Sequence, residues 1–233
     1  MIQKAVILAA GVGSRLGALT QELPKPLIPV GTRSPLQRHL ENCMAAGVTD
    51  VFINTHHLAE KIRAFVGDGS SFGMRAHFSY EPKLLGTSGA LWPFRTSLET
   101  GDFFVIYGDN LIECDLTKLG EDHERAKPVV TIAVHWREDV STSGMIVANA
   151  EREIIQFIEK PRREEQVSHF VNAGIYAASP SILNAIPPGA SDFGKDIFPA
   201  LLRGQATLMS HTLASGVLPI DTPELLEIAR RQG

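Results

Sequence analysis

The chain is short of the features that announce several protein classes. It has two cysteines in 233 residues, Cys43 and Cys114, and no Cys-x-x-Cys pair or Cys/His cluster, so the sequence offers neither a disulfide framework nor a zinc site. Positive charge is not in excess. Lys and Arg number 22 against 26 Asp and Glu, the net charge is −4 with the signs interspersed, and the basic footprint of a nucleic-acid binder is missing. The apolar stretch over 5–10 is too short for a signal-peptide core or a membrane span, so no membrane partner is expected and a cytoplasmic location is the default. No repeat, low-complexity tract or interdomain linker interrupts the chain. What is present, 44% hydrophobic content with 14 prolines spread along the length, suffices for one substantial core, and one domain over 1–233 is expected.

The most informative segment is Leu8-Ala9-Ala10-Gly11-Val12-Gly13-Ser14-Arg15-Leu16, followed by Pro24-Lys25-Pro26-Leu27. Val6, Ile7 and Leu8 read as a strand buried on both faces of a parallel sheet. Gly11 and Gly13 end it and let an anion approach backbone N–H groups, while Arg15 and Lys25 supply countercharge suited to a polyphosphate. No Gly-Lys-Ser/Thr follows, which excludes a Walker loop. Leu16 occupies the place of the third glycine in a dinucleotide fingerprint. For the glycines alone, an ordinary strand-to-helix turn is an equal reading.

Further strand-like runs at 51–53, 103–106, 129–134 and 154–158, with helical patterns between the early ones, point to βαβ units feeding a mostly parallel sheet. Ser34 caps a helix opened by Pro35, with Leu36, Leu40 and Met44 on one face and Gly47 after its last turn. Thr222 and Pro223 open a last helix carrying Leu225, Leu226 and Ile228. In such a sheet the ligand site lies beyond the carboxyl ends of the strands. Gly11, Gly108-Asp109 and the loop after Tyr80 all fall there. Asp109 aims a carboxylate out of the sheet beside Gly108, which clears room for a ligand, although Gly-Asp-Asn is also a common turn. Glu81 to Leu91 contains Gly86-Thr87-Ser88-Gly89, which reads as a backbone-rich loop or a capped helix start. His56-His57 starts a loop. Ser191 to Pro199 marks a helix start more than a site.

These segments together resemble the sugar-1-phosphate nucleotidyltransferases, whose pattern is Leu-Ala-Ala/Gly-Gly-x-Gly-x-Arg-Leu, Pro-Lys-Pro, Gly-Asp, Glu-Lys-Pro and Asn-x-Gly-x-Tyr. Five segments follow the family's order over essentially the whole chain, and Leu85 to Gly89 is most similar to the loop of mannose or heptose 1-phosphate guanylyltransferases. The resemblance implies an α/β, single-domain Rossmann-like fold with a mixed, mostly parallel sheet flanked by helices. It implies transfer of a nucleotidyl group, GTP favoured, to a sugar 1-phosphate, with pyrophosphate released. Uridylyl, thymidylyl or cytidylyl transfer, a choline phosphate acceptor, and a regulatory homologue without turnover stay open, as does homo-oligomerisation.

By the same resemblance Arg15, Lys25 and Asp109 are catalytic. Leu8, Ala10, Gly11, Gly13, Ser14, Glu81, Gly86, Thr87 and Gly108 hold the nucleotide. Asn110, Gly144, Glu159, Lys160 and Asn172 hold the sugar phosphate. Mg²⁺ would bind Asp109 and a second carboxylate. The family's second metal-binding Asp stands in Asp-x-Gly-Thr-Pro, whereas this chain has Pro219-Ile220-Asp221-Thr222-Pro223. Either Asp221 substitutes from two residues away, or water completes the shell, or activity is impaired.

Overall fold

The computed structural model describes residues 1–232. In chain order the elements are β1 (Lys4–Leu8), α1 (Leu19–Glu22), α2 (Pro35–Ala45), β2 (Asp50–Thr55), α3 (Ala59–Val66), β3 (Arg75–Tyr80), α4 (Gly86–Gly89), α5 (Arg95–Leu98), β4 (Phe103–Tyr107) and β5 (Asn110–Leu111). They continue with α6 (Leu116–Ala126), β6 (Val130–Trp136), β7 (Gly144–Ala148), β8 (Ile154–Glu159), β9 (Phe170–Ala178), α7 (Phe198–Arg203), β10 (Leu208–Thr212), β11 (Leu218–Pro219) and α8 (Pro223–Gln232).

The main sheet runs β10-β6-β9-β4-β1-β2-β3. β1 is parallel to β2 and β4, β2 to β3, and β10 to β6. Only β9 among these seven runs against its neighbours, pairing antiparallel with β4 and β6. The fold is therefore the mixed, mostly parallel sheet that the pattern implies.

Successive residues of a strand face opposite sides, and the core divides accordingly. Ala5 and Ile7 of β1 and Phe104 and Ile106 of β4 pack with Leu36 and Leu40 of α2, Ile62 of α3 and Leu119 of α6. Val6, Phe103 and Val105 face the other way, onto Leu98 of α5 and Phe198 of α7. Ser34 Oγ accepts the Gln37 amide, as a capping residue should. One expectation about a helix face needs correcting. Met44 is 49% exposed, and the buried face of α2 is Leu36, His39, Leu40 and Cys43. Eight residues beyond Leu36 an α-helix has turned about 80° off the starting face, whereas seven residues bring Cys43 back to it. In α8, Leu226 and Ala229 are buried while Ile228 is 46% exposed.

The reversed direction of β9 matters for function. Its last residues pair with the start of β4, through Phe103 and Ala178, so its beginning lies at the carboxyl edge where β1 and β4 end. The β7–β8 hairpin joins it there: Met145 is in register with Val171, and Gly144 with Glu159. A small separate cluster of Leu16, Ile28, Val30, Leu111, Ile220, Leu226 and Ala229 ties the first loop, the Pro-Lys-Pro segment and α8 together. Opening a cavity here by Leu226→Ala would cost about 2–5 kcal/mol. It would loosen the segments that carry Arg15, Lys25 and Asp221.

Candidate active site

The loop after β1 wraps the Lys25 side chain. Gly13 takes a left-handed conformation at φ 66°, and a Cβ there would come within 2.9 Å of Thr20 and 3.1 Å of the Lys25 stem. Lys25 is held in a short turn, Lys25–Leu27, between two prolines, and only 3% of its side chain is exposed. Its Nζ donates to Asp109 Oδ2 at 2.7 Å and also to Asp221 Oδ1. Arg15 Nη2 lies 3.5 Å from Asp221 Oδ2, with its side chain largely in solvent.

Asp109 and Asp221 meet because β5 and β11 pair antiparallel, Asn110 opposite Pro219 and Leu111 opposite Leu218. Residues two apart project to the same side of an extended chain, so Asp221 reaches the centre that Pro219 cannot serve. Both carboxylates touch one ammonium and are 31% exposed. The cation expected to be free for a ligand is thus already paired.

This centre sits between two cavities. The smaller, about 270 Å³, is bordered by Leu8, Ala10, Gly11, Glu81, Gly86, Thr87 and Asp109. The larger, about 610 Å³, is bordered by Arg15, Asn110, Gly144, Glu159, Lys160, Asn172 and Asp221. Thr87 and Tyr107 line both. The residues assigned by resemblance to nucleotide and to sugar phosphate are thus largely sorted into two adjoining spaces.

Lys25 and three of the residues assigned to the nucleotide border neither cavity. Gly108 was expected to clear room for a ligand, but a Cβ there would meet Ile7 Cγ2 and Leu8 O at 2.9 Å, and its amide donates to Leu8 O at 3.0 Å. The missing side chain lets β4 close against β1. Gly13 is filled from inside by Lys25, and Ser14 opens an exposed short turn, Ser14–Leu16. Gly86 and Gly89 likewise serve an internal contact. Gly86 is left-handed at φ 74°, and a Cβ there would lie 2.3 Å from Ser191 O; at Gly89 it would lie 2.4 Å from Gly189 O. The α4 turn docks on that segment through Ser88 N to Ser191 O and Ser191 N to Leu85 O, at 3.1 and 2.9 Å.

Buried polar groups brace the smaller cavity. The Ala9 amide donates to Asn54 Oδ1, Asn54 Nδ2 donates to Glu81 Oε1, and the Leu85 amide donates to Glu81 Oε2, each at 2.8 Å. Glu81, 1% exposed, therefore spends both oxygens on the protein. His56 Nδ1 bonds the Glu81 carbonyl and His57 Nε2 the Thr20 carbonyl, so the two histidines hold loops.

On the other side Asn172 uses Nδ2 on Tyr176 Oη at 2.8 Å and Oδ1 on the Gly174 amide at 2.9 Å. Glu159 lies between Gly144 and Gly194, where added Cβ atoms would press on its Oε2 at 2.9 and 2.6 Å. Burial first, then the Asp192 carboxylate, holds the Glu159 carboxyl above the ordinary range. Lys160 follows at φ 53°, an uncommon backbone for a non-glycine residue.

The sequence reading missed three residues. Asn54 joins the first loop to the second, and its signal was a polar residue ending an apolar strand. His39, buried in α2, bonds the Asn110 carbonyl at 2.9 Å and fixes the strand that follows Asp109. Burial pushes its pKa down to about 4. Asp192 caps the π-helical turn Phe193–Ile197 and also accepts from Thr87 Oγ1 at 2.8 Å, so the helix start at 191–199 borders the site as well.

A carboxyl-edge centre of Lys25, Asp109 and Asp221 thus lies between a glycine-loop cavity and a polar cavity, on the fold of the nucleotide-diphospho-sugar transferases. The chain belongs to the nucleotidyl transferase family, which matches it over residues 4–215. It is 35% identical over 213 residues to a UTP–glucose-1-phosphate uridylyltransferase of Synechocystis, covering 85% of this chain and 55% of that protein. It is 35% identical over 205 residues to a mannose-1-phosphate guanyltransferase of Schizosaccharomyces pombe, covering 86% and 56%. A mannose-1-phosphate guanylyltransferase of Mycobacterium tuberculosis is 30% identical over 222 residues, covering 94% and 61%. The chain thus spans about 55–61% of the length of these curated relatives.

Among solved structures, a Bacillus anthracis protein provisionally described as a glucose-1-phosphate thymidylyltransferase, in complex with a sucrose, superposes with a TM-score of 0.89 at 24% identity over 98% of this chain and 94% of that one, which shows the fold. HddC from Yersinia pseudotuberculosis complexed with GMP-PN superposes with a TM-score of 0.80 at 25% identity, covering 99% of both chains. Among the described residues no helix is long and apolar enough to cross a membrane.

Proposed function

We propose that the protein joins a sugar 1-phosphate to a nucleoside triphosphate, giving a nucleotide sugar and pyrophosphate. The observation that carries this reading is the position of Lys25 with Asp109 and Asp221 where the two cavities adjoin, the place a reacting α-phosphate must occupy if base and sugar lie on either side. An oxygen of the sugar phosphate forms a bond to the α-phosphorus, and the bond from that phosphorus to the bridging oxygen of pyrophosphate breaks. The substrate phosphate is already an anion, so no side chain needs to act as nucleophile. The chain's own work is alignment and charge neutralisation, by Lys25 at the α-phosphate and Arg15 on the triphosphate. Leu8 to Gly11 and Gly86-Thr87 border the nucleotide, while Asn110, Glu159, Lys160 and Asn172 border the sugar phosphate.

Asp109 and Asp221 suit Mg²⁺, which takes one or two carboxylates and otherwise keeps water. The fit rests on the convergence of the two carboxylates, each of which meets the Lys25 ammonium with one oxygen and keeps the other off it. Bound there, Mg²⁺ would neutralise phosphate charge.

Guanylyl transfer to a mannose-type or heptose 1-phosphate is the version we place first. The guanylyltransferase relatives and the GMP-PN complex of the HddC fold support it. The Synechocystis relative makes uridylyl transfer the second reading. A pyrophosphate-release screen of GTP, UTP, dTTP and CTP against mannose, glucose and heptose 1-phosphates and choline phosphate tests both. The expected result is turnover with GTP and mannose or heptose 1-phosphate. Turnover with none of the pairs would refute the reaction.

A further inference from the structure

The wall of the larger cavity carries charge that the assigned residues do not explain. Arg137, just past the end of β6, borders this cavity, and its recorded side-chain bond is from Nη1 to Ser143 Oγ at 3.1 Å. Among the described residues it forms no ion pair, which leaves most of its five N–H donors for other acceptors. The same Ser143 receives the Lys160 amide on its carbonyl at 3.0 Å. Ser143 thus holds the Arg137 guanidinium with its side chain and the Lys160 backbone with its carbonyl, and among the described residues neither side chain forms an ion pair, although the Glu159 carboxylate feels Lys160 and that of Asp139 feels Arg137. His135 precedes Arg137 by two residues, lines the same cavity, and is 7% exposed with no hydrogen-bond partner for Nδ1. A buried polar nitrogen left unpaired is a standing cost, one that a ligand removes. The nearby loop does not supply that partner: the residue facing it is Gly216, where even an added Cβ would stop 3.8 Å from Nδ1.

We propose that Arg137 and Lys160, which line one cavity on either side of Ser143, form a two-cation cradle for the 1-phosphate of the acceptor, and that His135 Nδ1 hydrogen-bonds a hydroxyl of the same molecule. A phosphate monoester carries nearly two negative charges at neutral pH, which two cations match. The guanidinium adds a planar fork that an ammonium lacks. The proposal rests on the reading of the larger cavity as the acceptor side.

Calorimetric titration of inorganic phosphate and mannose 1-phosphate into the protein without nucleotide tests it. Arg137→Met should weaken both at least about tenfold, in line with losing a charged hydrogen-bond donor, with Arg137→Lys restoring part of the loss. His135→Phe should weaken mannose 1-phosphate and leave inorganic phosphate unchanged. Melting temperatures of the variants near that of the parent protein would show that the fold is kept. Parent-like binding of both anions by Arg137→Met, or no binding of either by the parent protein, would overturn the cradle. Equal affinity of His135→Phe and the parent for mannose 1-phosphate would remove His135 from it. Phosphate binding that depends on Arg137, without turnover on any nucleotide, would refute the reaction and leave the cradle standing.

Discussion

The two cavities on either side of Lys25 differ in how far their polar groups are already committed. Around the smaller one, Asn54 and Glu81 exchange hydrogen bonds with each other and with the Ala9 and Leu85 amides, so the two loops are fixed before any ligand arrives. Around the larger one, Asn172 and Asp192 are committed as well, but Glu159, Lys160, Arg137 and His135 Nδ1 stand along the wall with few protein partners. The difference separates two tasks. Groups spent on each other give a preorganised shape, and groups left unspent give binding energy when a ligand completes them. Substitutions on the first side should therefore be felt in stability, and those on the second in affinity.

The sharpest departure from that division is at the junction, where one substitution should stop the reaction without unfolding the protein. Asp109→Asn keeps the shape and removes the charge, and turnover in the pyrophosphate assay should fall by roughly 10²–10³ or more. Near-parental turnover would show that this carboxylate does not serve the chemistry.

Next in size is a paired test of the two sides. Glu81→Ala strands Asn54 Nδ2 and the Leu85 amide in a buried setting, at about 2–5 kcal/mol. Tm should drop by roughly 5–15 °C for a domain of this size. Lys160→Ala should shift Tm by no more than about 2 °C while weakening sugar 1-phosphate binding. Equal thermal losses would erase the distinction between the cavities.

A pH titration probes how the junction is held. Burial lowers the His39 pKa from 6.5 to about 4, so the folded protein keeps this ring neutral where the unfolded chain would protonate it. The contribution is fully present above about pH 6.5 and is lost as pH falls toward 4, roughly 3 kcal/mol over the window. Denaturant melts should show that slope, and His39→Gln should flatten it.

The smallest effect belongs to Glu159, whose carboxyl is held up by burial and by Asp192. A raised carboxyl pKa favours the folded state at low pH and disfavours it as pH rises through the folded value. Glu159→Gln should therefore melt about 1–2 °C higher than the parent at pH 7 and equally at pH 4. A lower melting point at pH 7 would mean that the carboxylate has a stabilising partner.

Much of this architecture is legible in the sequence because its signals are local. The unbroken burial of Ala5, Val6 and Ile7 on alternate faces, the Ser34 cap and the order of the short motifs all lie within runs of a few residues. What escapes is whatever depends on contacts distant in the chain. Gly108 looks like ligand space until β1 is seen 100 residues earlier in the sequence filling it. Lys25 looks free until β5 and β11 bring two aspartates onto it. Asn54 and His39 carry no motif, and their roles exist only through partners 45 and 71 positions away. Met44 misled for the opposite reason, since a local pattern was extended one residue too far around the helix.

The central claim is that Asp221, standing two residues beyond the proline at the family's usual position, completes the junction with Asp109. Its most direct test is the Mg²⁺ dependence of pyrophosphate release by the parent protein and by Asp221→Asn, measured with the nucleotide and sugar phosphate that the screen identifies. The account predicts that the variant needs at least about tenfold more Mg²⁺ to reach half its maximal rate, as expected when one of two carboxylate ligands loses its charge. An unchanged Mg²⁺ requirement would contradict it and leave Asp221 as a partner of Lys25 alone.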